Sequence, residues 1–154
     1  MITPTYLLWM ILVVILSLSG GCEKEEKNKN QLQCTVTVKK GADDDIIGKW
    51  KLVKARIIKL AHDISTEDYS CNDIIYHFKA DGSLIISGVD DGMPVMRNGE
   101  YAFEFNDTIL YDHLEYDHTL KIGKLKKACG IHNNAMTLDA SPVDGNTLYF
   151  IRVE

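Results

Sequence analysis

The chain has 154 residues, of which 45% are hydrophobic and 25% charged, ordinary proportions for a globular protein. Its formal net charge of -5 argues against a nucleic-acid partner, because phosphate binding needs a basic face, and the lysines of residues 121–127 are expected on a solvated one. With the first 45 residues set aside for the reasons that follow, roughly a hundred remain, enough for one small core and not for two.

Residues 6–18 form an almost unbroken run of Leu, Ile, Val, Met and Trp. The run is shorter than the about 20 apolar residues that a spanning helix needs. It fits the apolar core of a secretory signal, with the free α-amine as the only positive charge ahead of it. An uncleaved anchor is the alternative. Leu18-Ser19-Gly20-Gly21-Cys22 follows, and small residues running into a cysteine resemble a lipoprotein cleavage box. Leu18 stands four places before the cysteine, and Ser19 takes the place where such boxes carry Leu. The resemblance implies that residues 1–21 are removed and that Cys22 becomes an acylated N-terminus. Several acyl chains anchor durably where a single one binds only marginally, so the membrane itself is the first expected partner.

Cys22-Glu23-Lys24-Glu25-Glu26 further resembles the surface-export signal of Bacteroidetes lipoproteins. It implies an outer-membrane address facing the cell exterior, with the periplasmic face as the alternative. The charged, Asn-rich residues after Cys22 cannot bury enough apolar surface to fold. Residues 31–39 alternate in strand fashion around Cys34, but Gly41-Ala42-Asp43-Asp44-Asp45 breaks them off, so the whole of 22–45 is expected as a flexible tether.

From Ile46 the pattern has a period of two, the mark of half-buried strands. Ile46, Gly48, Trp50 and Leu52 fall on one face, and a second apolar piece, 55–60, follows past a bend. Residues 62–72 are polar and turn-rich and read as a long loop. Residues 74–79 and 83–86 flank Asp81-Gly82, a hairpin signal because such a pair supplies the positive φ of a tight turn. Residues 89–98 read as a loop, and 100–105 as a strand with Tyr101, Phe103 and Phe105 on one side. Further strands are expected at 118–122, 135–139 and 147–153, while 124–131 is ambiguous and Asn133-Asn134 marks a turn. No helical spacing appears after Cys22. About eight short strands with frequent turns predict an all-β antiparallel barrel or sandwich.

Gly48-x-Trp50 on the first strand resembles the motif that opens the barrel in lipocalin-like proteins, where the Trp plugs one end and an Arg near the last strand, here Arg152, packs over it. Residues 69–78 (YSCNDIIYHF), with Asp81-Gly82 after them, are similar to small lipocalin-like lipoproteins of Bacteroidetes. The likeness covers 46–154 and implies an up-and-down barrel of about eight strands that holds a small apolar or amphipathic ligand. Such a barrel is either filled by its own side chains or holds one small ligand. Trp50, Tyr76, Phe78, Tyr101 and Phe103 are the candidate ligand contacts, with plain core as the other reading. In a filled barrel, the outer surface and the loops 62–72 and 89–98 would instead engage a protein or glycan partner.

Tyr111-Asp112-His113 and Tyr116-Asp117-His118 repeat one triplet at a spacing of five. Imidazole and carboxylate are metal ligands, but an odd spacing on one strand sends the two rings to opposite faces, so no metal site is expected. Asp43-Asp44-Asp45 and Asp90-Asp91-Gly92 lack the alternating oxygens of a calcium loop. With Cys22 acylated, Cys34, Cys71 and Cys129 remain, and an exported protein keeps its disulfides. Cys71 and Cys129 lie in the domain and are the expected pair, leaving Cys34 free. No P-loop, dinucleotide fingerprint, Gly-x-Ser-x-Gly or His-Glu-x-x-His motif occurs, so neither an enzyme nor a cofactor is expected.

Overall fold

The computed structural model describes residues 31–59 and 63–154; the expected signal segment 1–21, Cys22 and the residues up to 30 lie outside the described residues, as do 60–62. Nine strands follow in chain order: β1 (Gly48–Ile58), β2 (Ile64–Asp68), β3 (Ile75–Phe78), β4 (Ser83–Ser87), β5 (Gly99–Asn106), β6 (His118–Ile122), β7 (Leu125–His132), β8 (Ala135–Asp139) and β9 (Thr147–Arg152). Each pairs antiparallel with its neighbours in the order β2-β1-β3-β4-β5-β6-β7-β8-β9, and a β1–β9 pairing closes the sheet on itself.

β1 is the strand on which closure depends. One of its edges pairs with β9 from Trp50↔Arg152 to Arg56↔Thr147. Its other edge is shared: Gly48 to Lys51 pair with β3, and Lys54 to Ile58 pair with β2. β2 and β3 therefore occupy one position in the barrel wall, interrupted by residues 69–74. Nine strands thus make eight wall positions, and the fold is a closed eight-stranded antiparallel up-and-down barrel.

Two features of this strand pair differ from the sequence expectation. Residues 62–72 are not all loop, because β2 lies within them. β2 pairs only with β1, and none of its residues is buried, which matches its polar sequence ISTED. The two apolar pieces around Lys54 are one strand. A register shift between Leu52 and Lys54 inserts Val53 as an extra residue, so the inward positions change from Trp50 and Leu52 to Ala55 and Ile57.

The turns follow their residues. Asn133 and Asn134 both take positive φ (51° and 64°) in the two-residue β7–β8 turn, as a type I′ turn requires. In the β3–β4 turn it is Gly82 that takes positive φ, while the Asp81 carboxylate accepts hydrogen bonds from the N–H and hydroxyl of Ser83. The ambiguous stretch 124–131 is β7, paired along both edges.

Residues 32–45, expected as part of the tether 22–45, belong instead to the compact unit that begins at Leu32. Cys34 is disulfide-bonded to Cys71, and its N–H donates to Ser70 Oγ (2.9 Å). Further along, Lys39 N–H donates to the Arg152 carbonyl and Gly41 N–H to Asn134 Oδ1. The segment thus runs along the barrel from the 69–74 excursion to the β7–β8 turn. The expected Cys71–Cys129 bridge does not form. Cys129 lies inside the barrel on β7, paired in register with Leu138, while Cys71 sits in an excursion outside the wall.

Candidate functional site: a cleft at the barrel mouth

One end of the barrel is plugged. Trp50 is fully buried and its indole N–H donates to the Ile46 carbonyl (2.8 Å). The Arg152 guanidinium lies 4.3 Å above that ring. It donates to the carbonyls of Ile47 and Ala42 (3.0 Å each) and to that of Asp45. A cation on an indole face with its terminal N–H groups directed to carbonyls makes a well-held stopper at this end. Above the plug the interior is filled: Tyr76 packs edge-on against Phe150 at 4.8 Å, and Phe78 against Phe103 at 5.0 Å.

β9 runs from this plug to the opposite end, where Leu148 borders a cleft of about 410 Å³. One wall is the barrel itself, through Tyr101, Lys127 and Leu148; the other is Pro94, Met96 and Arg97 of the β4–β5 loop. That loop is folded back by its own ends. The Asn98 side chain accepts from Val89 N–H and donates to the Val89 carbonyl, both at 2.8 Å. A second amide latches the loop to the barrel rim: Asn146 donates to the Pro94 carbonyl (2.8 Å) and accepts from Ile58 N–H (3.3 Å). Met93, Val95 and Met96 then pack against the core below. The Tyr101 hydroxyl donates to the Arg97 carbonyl (2.9 Å) and ties the two walls together.

Of the five aromatic candidates, only Tyr101 lines this cleft. Trp50, Tyr76 and Phe78 are fully buried, and Phe103 packs half-buried against them. The sequence offered the 89–98 loop only as a surface for a protein or glycan partner and not as a wall of a ligand cleft, and it gave no sign of Lys127. A loop's fold-back leaves no periodic signal. The lysine sits in a run that suggested a solvated face, yet it lies opposite Leu120, an interior residue, and so points inward. Burial lowers the pKa of Lys127, and the field of the Asp139 carboxylate opposes that shift.

Tyr76 adds one further polar group behind the cleft. Its hydroxyl lies near the Met96 backbone N–H but makes no hydrogen bond of ordinary geometry. Burial pushes its pKa far up, so it remains a neutral O–H donor at any physiological pH.

Elsewhere the chemistry is structural. His118 pairs with Asp107 (3.0 Å) and packs on Phe105, while Tyr116 lies on the outer wall over Gly130. A Cβ at Gly130 would come within 2.8 Å of the Tyr116 ring, so the glycine makes this approach possible. Burial, with help from Asp139, raises the Tyr116 phenol to about 12. Among the described residues no group of three or more His, Cys, Asp or Glu side chains could hold a metal ion. The Cys129 thiol is pushed up to about 12 by burial, which suppresses the reactive thiolate.

The chain was compared with known proteins. No family model, no characterised protein and no solved structure matches it. The closed barrel is consistent with a calycin-like architecture, and any closer kinship rests on the Gly48-x-Trp50 and 69–78 resemblances alone.

Proposed function

We propose that the protein is a lipid-anchored envelope lipoprotein whose barrel mouth holds a small apolar or amphipathic ligand beneath the 89–98 loop. The observation that carries this reading is the cleft of about 410 Å³ between that loop and Tyr101, Lys127 and Leu148. Its volume is within the range of small-molecule sites, and its wall is mainly apolar with a few placed polar groups. The binding site thus moves from the packed interior to the mouth. The Cys34–Cys71 disulfide supports export, because such bonds persist outside the reducing cytosol. The anchor and the outward-facing outer-membrane address rest on the sequence around Cys22.

Two measurements test the reading. Native mass spectrometry of the protein released gently from its own cells' envelope is expected to show an added mass that is lost on denaturation. A bare mass, with no thermal shift from a panel of lipids and hydrophobic metabolites, would remove the ligand role. Cys22→Ser is expected to move the chain from the membrane fraction to the soluble fraction. Retention in the membrane would overturn the lipid anchor.

A further inference from the structure

Lys127 is the cation on the barrel wall of the cleft, and its ammonium has no carboxylate partner among the described residues there. Three other lysines have carboxylate partners: Lys49 with Glu154, Lys51 with Asp73 (3.0 Å), and Lys121 with Glu104 (2.6 Å). Lys127 has none among the described residues, although it is half-buried and points inward. Asp139 is the acid whose field reaches it, but Asp139 is on the outer face of β8, paired in register with Ala128 and Thr147. Its carboxylate already accepts from Ser141 N–H (2.7 Å) and Thr147 Oγ1 (3.0 Å). On the facing wall, Arg97 is exposed and its guanidinium has no ion pair among the described residues. The remaining contacts that a ligand would meet include Pro94, Met96 and Leu148, which are apolar.

A half-buried ammonium with no counter-charge loses hydration and gains no ion pair in return. An apolar wall beside it holds a chain or ring, and the ammonium and the Arg97 guanidinium both favour negative charge at one end of that ligand. Resting on the proposed cleft, we infer that it selects amphipathic ligands with an anionic head group, a carboxylate or sulfate on an apolar tail, and that Lys127 is the residue that reads the charge. Arg97 adds attraction at the rim, where solvent screens it more strongly.

The unit Leu32–Glu154 contains all nine described strands, the closing β1–β9 pairing and the disulfide, so it carries the described interactions that build the barrel. Calorimetric titration of this unit with octanoate, octyl sulfate, octanol and octylammonium separates charge from apolar contact. Both anions are expected to bind about ten- to a hundredfold more tightly than octanol, the range of one charge-assisted hydrogen bond, and the cation most weakly. Lys127→Met is expected to erase that preference, so that the anions bind no more tightly than octanol to the same variant, and Lys127→Arg to retain most of it. Circular dichroism on each variant checks that the barrel is intact. Equal binding of octanol and octanoate, or a preference that survives Lys127→Met, overturns the charge assignment and leaves the cleft standing. Failure of all four probes to bind overturns the cleft reading itself.

Discussion

Tyr76 combines two contributions of opposite sign. Its ring is fully buried and packs edge-on against Phe150 at 4.8 Å, which favours folding. Its hydroxyl is buried without a hydrogen bond, which costs about 1–3 kcal/mol of desolvation. Tyr76→Phe keeps the ring and deletes the unpaired oxygen, so it is expected to stabilise the barrel by about 1 kcal/mol in urea denaturation. A loss of stability would mean that the hydroxyl has a partner in solution, such as an ordered water. At this scale the sequence was informative where chemistry is local. Gly48 has φ of 122°, and a Cβ there would sit 2.5 Å from the Glu154 carbonyl oxygen, so the first residue of Gly48-x-Trp50 is fixed by backbone approach. Arg152 stacks on Trp50 as the resemblance implied. Lys127 was not legible, because its inward direction depends on pairing with Leu120 and not on its neighbours in sequence.

β5 is legible in sequence because its more buried positions Tyr101, Phe103 and Phe105 alternate with exposed ones, the pattern of a strand with one packed and one wet face. The elements that escaped lack that asymmetry or change it midway. β2 has no apolar alternation, and β1 changes its inward parity at Val53. The strap of residues 33–43 escaped for another reason: its attachment is made by distant side chains. Asp68 Oδ2 accepts from Gln33 N–H (2.9 Å), while Oδ1 accepts from the N–H (2.8 Å) and hydroxyl (2.6 Å) of Ser70. Ser70 Oγ in turn accepts from Cys34 N–H. Partial desolvation raises the Asp68 pKa, but the hydrogen bonds from Ser70 and Gln33 together outweigh it and the net shift is downward. A depressed folded pKa means that the contribution is complete above the unfolded value of about 3.9 and is lost as pH falls through the lower folded value. Asp68→Asn is therefore expected to be less stable than the wild type at pH 7, with the difference shrinking below about pH 4. A gap that is constant with pH would show that the carboxylate's charge has no part in holding the strap.

For the molecule as a whole, the disulfide links a segment outside the barrel wall to the one interruption within it. Cys34 and Cys71 are 37 residues apart, and the chain between them includes β1 and β2. A barrel closed by pairing its first and last strands has mainly non-local contacts, so its unfolded state has much chain entropy to lose. A bridge over a loop of this length removes part of that entropy before folding begins, with a typical benefit of about 2–4 kcal/mol. Replacing both cysteines, Cys34→Ala with Cys71→Ala, is expected to lower the unfolding free energy by about that amount while leaving the strands and the mouth cleft in place. The single free thiol of the unit, Cys129, provides an internal control. It is buried in the core and its pKa is raised, so in both forms it should react with a thiol reagent only as fast as the barrel opens. Faster labelling of Cys129 in the double variant, in proportion to the lost stability, would establish that the bridge acts on global opening. An unchanged labelling rate with unchanged urea midpoint would show that the strap is held by its hydrogen bonds and that the bridge adds no global stability.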